Sequence, residues 1–481
     1  MAAPAGAHTG GQGFILLLPS ELYMAAGAVV VAASFLLISL IPSTMFVKIE
    51  QLQRRLIVLG AFGRKGRLAL SCPSFLSLFV CLFLIFAGKW GSRDPLSNPL
   101  PLFVWTVWWI GFTYLHLLFG NLWAYLNPWS GLCRAAARFP GVKRWVEQPP
   151  FRYPRRAAYW PAVIAFLVFV WIELIYPSPA DPAVLANLVS SYLVFNFCGI
   201  LFFGERSWLK YAEAFSVFFR VISWLSPFSV RNPRCLRKHC EPECSPSPSD
   251  KNSWVVEITL PGLNLLSVRP RSLSSVVFIL LVLSSVSFDG LSKTFFWMAL
   301  IGENPLEYPG RTTLMIANTA GLLGVFAALA VAYMAVLSVA KILSDIGGAG
   351  ARVFGVFALS VVPIAFGYHF AHYLPIFLVD IQYALKAVSD PLARGWDLFG
   401  TADIPIITSF LSARSQVIAI WYAQMTIIVG AHVAGIYIAH SLALRLAPRT
   451  KSTIIGQAPL TALMVGYTLF GLWLLSAPAV G

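Results

Sequence analysis

The sequence has very little charge. Only 11% of its residues are Asp, Glu, Lys or Arg, whereas 58% are hydrophobic and the mean hydropathy is +0.73. An ordinary soluble domain carries about 25% charged residues. This scarcity excludes a typical water-soluble fold and indicates a chain that is embedded largely in lipid.

The sequence also lacks the features that mark several common protein classes. Its seven cysteines fall in predicted helices or in loops predicted to be cytoplasmic, so they imply no disulfide framework. The first residues have no basic segment followed by an apolar core and a small-residue cleavage site, so we expect no cleaved signal peptide. The G-x-S-x-G, P-loop, H-E-x-x-H and C-x-x-C-H motifs are absent, which excludes those familiar routes to hydrolysis, nucleotide binding and haem attachment.

Long apolar segments are what the sequence does contain. A helix needs about 20 apolar residues to cross a bilayer core. Ten segments meet this requirement: 21–42, 68–88, 101–124, 159–176, 184–204, 273–291, 312–340, 353–379, 415–440 and 454–476. We therefore predict an all-α fold, a polytopic transmembrane helix bundle of about ten spans.

Basic residues are distributed unevenly between the connecting loops. The loops on one side, 43–67, 125–158, 205–272, 341–352 and 441–453, hold 28 of the 35 Lys and Arg residues. Lys and Arg accumulate in loops that remain cytoplasmic, so we expect both termini to be extracytoplasmic. The net charge of +15 is then explained by orientation and by contact with anionic lipid, and no nucleic-acid partner is predicted.

The longest polar segment, 205–272, divides the chain into two five-helix membrane halves, 1–204 and 273–481. Because each half contains an odd number of helices, the two halves have opposite orientations in the membrane, which is the arrangement of inverted-repeat transporters.

Within the segment 205–272, LKYAEAFSVFFRVISWLSPF has apolar side chains near helical spacing, which predicts an interfacial amphipathic helix on the inner leaflet. The stretch CLRKHCEPEC lacks zinc-knuckle spacing, so we interpret it as a solvated loop with reduced thiols.

Three histidines in predicted spans are candidate metal ligands. FGYHFAHYLP places His369 and His372 on one face of the eighth span, and the ninth span contains His432. Ionisable residues inside a membrane are functional candidates, and consecutive antiparallel helices usually pack together. We expect the three rings to approach one another and to bind a divalent transition metal, Zn or Cu, with one position open for water. Alternatively, each ring hydrogen-bonds to a neighbouring helix and stabilises the bundle.

Three carboxylates form the second group of candidates. Glu173, Asp289 and Asp380 all lie toward the predicted extracytoplasmic ends of their spans. In a common outward-facing pocket they would supply a catalytic base or further metal ligands. The alternative is that each is a solvated residue at a helix end.

Several unusual segments give the chain a resemblance to a known family. AHTGGQGFILLLPSELY, EAFSVFFR, FDGLSKTFFW, SDPLARGWDLFG and IWYAQMTIIVGAHVAGIYIAH resemble segments of the bacterial integral-membrane proteins named fenitrothion hydrolases. The resemblance implies a multi-pass protein of the bacterial inner membrane that hydrolyses an apolar phosphorothioate triester, with a metal-bound hydroxide as the nucleophile.

Two other functions remain open from the sequence. A transporter or permease is favoured by the 5+5 arrangement and by polar residues in several spans, and a haem or copper redox protein is suggested by the histidines. The expected partners are the lipid bilayer, an apolar small-molecule substrate and a second membrane subunit.

The charge distribution generates a topology prediction. Reporters fused after Gly481 and inserted near Ser247 are expected on opposite sides of the membrane, because five predicted spans separate the two positions. Compartment-specific reporter activity measures this directly, and finding both reporters on the same side would contradict the ten-span count.

Overall fold

The computed structural model describes residues 20–42, 44–46, 48, 58–62, 72–231, 254–268, 272–307, 310–344, 350–446 and 450–477. The main helices in these ranges are α1 Ser20–Leu40, α2 Cys72–Trp90, α3 Pro99–Phe119, α4 Trp160–Leu174, α5 Pro182–Phe203, α6 Ala214–Ser223, α7 Leu273–Ser292, α8 Arg311–Leu343, α9 Gly350–Ser389, α10 Arg414–Leu446 and α11 Thr450–Ser476. Shorter helices occupy the connections at Trp123–Leu126, Pro128–Ala136, Pro140–Glu147, Glu205–Tyr211, Leu263–Ser267, Phe295–Leu300 and Ser409–Leu411.

The helices agree with the predicted spans. In the described part of the chain, nine helices are long and apolar enough to cross a membrane. The predicted span at 159–176 corresponds to α4, whose 15 residues form a helix of only about 22 Å, shorter than the bilayer core of about 30 Å. The predicted all-α transmembrane bundle is confirmed, and the protein is a multi-pass membrane protein.

Three short strands form a small sheet from the loops. β1 Val58–Phe62, β2 Phe228–Arg231 and β3 Trp254–Ile258 are arranged in the order β1-β3-β2, with both pairs antiparallel. β1 belongs to the loop between α1 and α2, whereas β2 and β3 belong to the loop between α6 and α7. The distribution of basic residues predicts both loops on the same face, and their pairing requires it. These strands are not evident from the sequence, because runs of four or five residues carry little periodic signal.

The predicted cysteine-rich loop is not among the described residues. Cys235, His239, Cys240 and Cys244 lie outside the described residues, as does the stretch SPSPSDKN.

The segment predicted as an interfacial helix does contain a helix, α6, but its position differs from the expected one. Phe215, Phe218 and Phe219 are completely buried against neighbouring helices. The Glu213 carboxylate accepts hydrogen bonds from the backbone N–H groups of Phe215, at 3.0 Å, and Ser216, at 2.5 Å, and so caps the helix. The more polar face of α6, which carries Arg220, lines a cavity. The amphipathic pattern of α6 therefore reflects the packing of its apolar face against other helices, and not contact of that face with the membrane surface.

The long helix α9 lies at the centre of the bundle. It has 40 residues, enough for about 60 Å, and like α7 it is buried over most of its circumference. Small residues allow α10 to approach it closely: a Cβ on Gly367 would lie 2.4 Å from the Cβ of Ala431, and a Cβ on Gly435 would lie 2.8 Å from the carbonyl oxygen of Ser360. Close approach through small residues is a common mode of helix association in membranes.

This packing gives a paired stability prediction. Gly435→Ala places a methyl group against backbone and should destabilise the protein by about 1–3 kcal/mol. Gly430→Ala, on the same helix, is the matched control, because a Cβ there meets nothing within 4 Å. Thermal unfolding midpoints of the two variants in detergent test the difference, and equal midpoints would show that the α9–α10 contact is looser than described.

Candidate functional site

The candidate site is centred on Asp289, in the last turn of α7. Its carboxylate is 2% exposed and contacts two basic groups: the Lys293 Nζ lies 2.8 Å from Oδ1, and the His372 Nε2 lies 2.8 Å from Oδ2. Lys293 follows Asp289 by four residues and therefore shares its helix face. His372 comes from α9, so the contact joins the two central helices.

Tyr373 connects Asp289 to a second carboxylate. Its buried hydroxyl oxygen lies 2.9 Å from Glu173 Oε1, in the last turn of α4, and 2.9 Å from Asp289 Oδ2. A phenol carries one proton and can donate it in only one linear hydrogen bond. Both contacts are satisfied together when one carboxyl group is protonated and donates to the phenol oxygen. Because Asp289 already contacts Lys293 and His372, Glu173 is the better position for that proton.

The end of α4 that carries Glu173 is fixed by α8. Arg311 Nη1 donates to the carbonyl oxygens of Glu173, at 2.9 Å, and Tyr176, at 3.2 Å. Eight residues further along α8, Thr319 Oγ1 accepts a hydrogen bond from Trp171 Nε1 at 3.0 Å. These contacts hold the short helix against its longer neighbour, with Glu173 directed toward Tyr373.

His369 lies one turn before His372 on α9 in a fully aromatic environment. Its ring centroid is 4.8 Å from that of Trp109, in an edge-on arrangement, and 4.7 Å from that of Tyr373. Trp109 lies in the π-helical part of α3, Leu102–Gly111. Among the described residues, neither His369 ring nitrogen nor the Trp109 indole nitrogen makes a hydrogen bond of normal geometry, although the Trp109 side chain lies close enough to interact with Glu173 and Tyr373.

The third predicted metal ligand, His432, faces a different neighbour. Its Nδ1–H donates to the carbonyl oxygen of Ile428 at 2.9 Å, and its ring packs against Tyr368, with the centroids 5.9 Å apart. In the described ranges, no group of three or more His, Cys, Asp or Glu side chains is placed to hold a metal ion. A metal site shared by His369, His372 and His432 therefore stays a prediction.

The remaining predicted residue, Asp380, is also buried. Asp380 follows His372 by eight residues, which separates the two by about 12 Å along α9. His116 and His440 are satisfied within the bundle: His116 Nδ1 lies 2.6 Å from the carbonyl oxygen of Phe112, and His440 Nδ1 lies 3.1 Å from Gln457 Oε1. These two histidines were not candidate metal ligands, and their hydrogen bonds give them a structural role in the bundle.

Two members of the network were not singled out from the sequence. Lys293 is recognisable from its spacing of four residues after Asp289, a signal that was available in FDGLSKTFFW. Tyr373 directly follows His372, but one of 16 tyrosines carries no distinguishing mark in the sequence.

Comparison with known protein families, with curated proteins and with solved structures gives no match for this chain.

The double contact of Tyr373 gives a second stability prediction. Tyr373→Phe removes the hydroxyl between two buried carboxyl groups and should cost about 1–3 kcal/mol, the penalty for unsatisfied buried polar groups. Tyr333→Phe is the control, since that equally buried hydroxyl donates only to the carbonyl oxygen of Phe354. Thermal midpoints in detergent should fall further for Tyr373→Phe, and an equal or smaller decrease would contradict the network.

Proposed function

We propose that the protein is a proton-coupled transporter of the bacterial inner membrane, with Glu173, Tyr373 and Asp289 as its proton-binding site. The observation that carries this proposal is the Tyr373 hydroxyl, 2.9 Å from an oxygen of each carboxyl group. That geometry accommodates a single shared proton within a membrane-embedded network. Intramembrane carboxylates and histidines commonly mark proton relays in pumps and transporters.

The distribution of the network over helices supports coupling. Glu173, Asp289 and Tyr373 come from α4, α7 and α9, so the loss of one proton changes hydrogen bonds between three helices at once. A conformational equilibrium shifts when a ligand, here a proton, binds its two states unequally. Movement of α4 relative to α7 and α9 is the change that deprotonation of Glu173 would favour.

An aromatic cluster forms a barrier beside the network. Phe218 packs against Trp109, Phe166 and Phe366, with ring centroids 5.1, 5.5 and 5.3 Å apart. All four side chains are buried, and His369 joins the cluster to Tyr373. A transporter needs such a closed barrier on one side of its site in each of its states, so the cluster supports the proposal.

The transport proposal is tested in proteoliposomes with an imposed pH gradient and a panel of organic anions, organic cations and neutral apolar solutes. Wild type should accumulate at least one class of solute. Glu173→Gln should lose accumulation driven by the pH gradient while retaining solute exchange, because the amide cannot release a proton. Glu307→Gln, at an exposed loop position, is the matched control and should behave as wild type.

The hydrolase implied by the family resemblance is the second candidate, and His369 is the observation that favours it. The ring of His369 packs against Tyr373, whose hydroxyl contacts both carboxyl groups, and its nitrogens are available to bind a metal near a possible base. The same purified samples would be assayed for metal content and for nitrophenolate release from an apolar nitrophenyl phosphorothioate triester. Stoichiometric metal and hydrolysis in wild type, both lost in His369→Ala, with no solute accumulation, would contradict transport and favour hydrolysis.

A further inference from the structure

A large cavity lies between the connections before α4 and before α7, bordered by the short helix Glu205–Tyr211, α6 and α7. Its volume is about 850 Å³, within the usual range for sites that bind small molecules. The segments around it belong to the loops 125–158 and 205–272, which the basic residues predict to be cytoplasmic. It lies at the opposite end of α7 from Asp289, so it is separate from the proton-binding site proposed above.

The charged residues that line the cavity are all basic. Among the described residues its lining includes Arg152, Arg155, Lys210 and Arg220 and no Asp or Glu. Arg152, Arg155 and Lys210 are exposed and mark the mouth, whereas Arg220 is half-buried and lies further in. The charge of Arg220 is partly compensated by the nearby Glu213 carboxylate, whereas the positive charges of Arg152, Arg155 and Lys210 at the mouth attract an anion.

Two of these basic groups are held in position. Arg220 Nη2 donates to the carbonyl oxygen of Lys210 at 2.6 Å, which fixes the guanidinium against the wall. A guanidinium has five N–H donors, so this bond and a second one to the Tyr159 side chain leave capacity for an oxyanion. The Lys210 ammonium lies 4.8 Å from the centre of the Tyr211 ring, which itself stacks on Tyr153 at 5.7 Å.

The interior of the cavity is apolar. Val217, Phe278, Ile279 and Leu359 line it and are buried almost completely. A small hydrated anion gains nothing from such a wall, whereas an alkyl chain does. The arrangement therefore suits a molecule with an anionic head and an apolar body.

We propose that this cavity binds the phosphate headgroup of an anionic phospholipid, with the first part of an acyl chain against the apolar wall. Arg and Lys recognise phosphate oxygens through charge-assisted hydrogen bonds, and basic pockets between transmembrane helices on the cytoplasmic side bind such headgroups. The proposal does not depend on the transport function, because it concerns a separate set of residues.

The test uses the full chain in detergent, titrated separately with phosphatidylglycerol, phosphatidylcholine, glycerol phosphate and inorganic phosphate. Bound lipid is counted by native mass spectrometry, and the thermal midpoint is followed in the same samples. Wild type should retain phosphatidylglycerol in preference to phosphatidylcholine. Arg152→Gln with Arg155→Gln, and separately Arg220→Gln, should weaken its binding by about tenfold per lost charge-assisted contact.

The control carries Arg138→Gln and Arg144→Gln, which remove two exposed basic residues outside the cavity lining and should leave lipid binding unchanged. The exposed Arg152 and Arg155 pair keeps the test valid if Arg220→Gln fails to fold. Equal retention of the two lipids by wild type, or unchanged phosphatidylglycerol binding in the Arg152 and Arg155 variant, would overturn the proposal. Binding of glycerol phosphate or inorganic phosphate as tight as that of phosphatidylglycerol would overturn the assignment to lipid.

Discussion

The structure depends on basic and hydrogen-bonding groups that compensate the negative charge of the Asp289 carboxylate inside an apolar bundle. Asp289 is buried at the end of α7, and an unpaired charge in that position would be strongly destabilising. Its compensation comes from Lys293 on its own helix and from His372 and Tyr373 on α9. These contacts fix the position of α7 relative to α9. The contact between Tyr373 and Glu173 fixes the short helix α4 against them in the same way.

The bundle was predictable because the bilayer imposes a simple physical requirement. A span must be about 20 residues long and apolar, and both properties can be recognised in a single sequence. The small sheet and the position of α6 did not follow from the sequence for related reasons. Short strands carry little periodicity, and the alternation of apolar and polar faces along α6 is the same whether its polar face meets water at a membrane surface or inside a cavity.

The site was predictable in its residue types and less so in its assembly. Glu173, Asp289 and His372 were expected from their unusual position in spans, and the structure brings these three together. Whether histidines on two different helices face each other depends on how each helix is rotated about its axis. The spacing of residues along one helix does not contain that information. His432 therefore meets Tyr368, one residue and about 100° around α9 from His369. Tyr373 was missed because a tyrosine becomes part of a site only through its neighbours.

The three-stranded sheet has a consequence for the order in which the protein is made. β1 leaves the ribosome after α1, but its partner β3 is synthesised only after α2 to α6. Pairing across so long a stretch of chain is intrinsically slow, because the intervening chain must first be ordered. The first loop therefore stays without its partner strand while five helices are being made. Closing the sheet is then a late event of biogenesis that joins the first helices to the core helices only once the N-terminal half is in place.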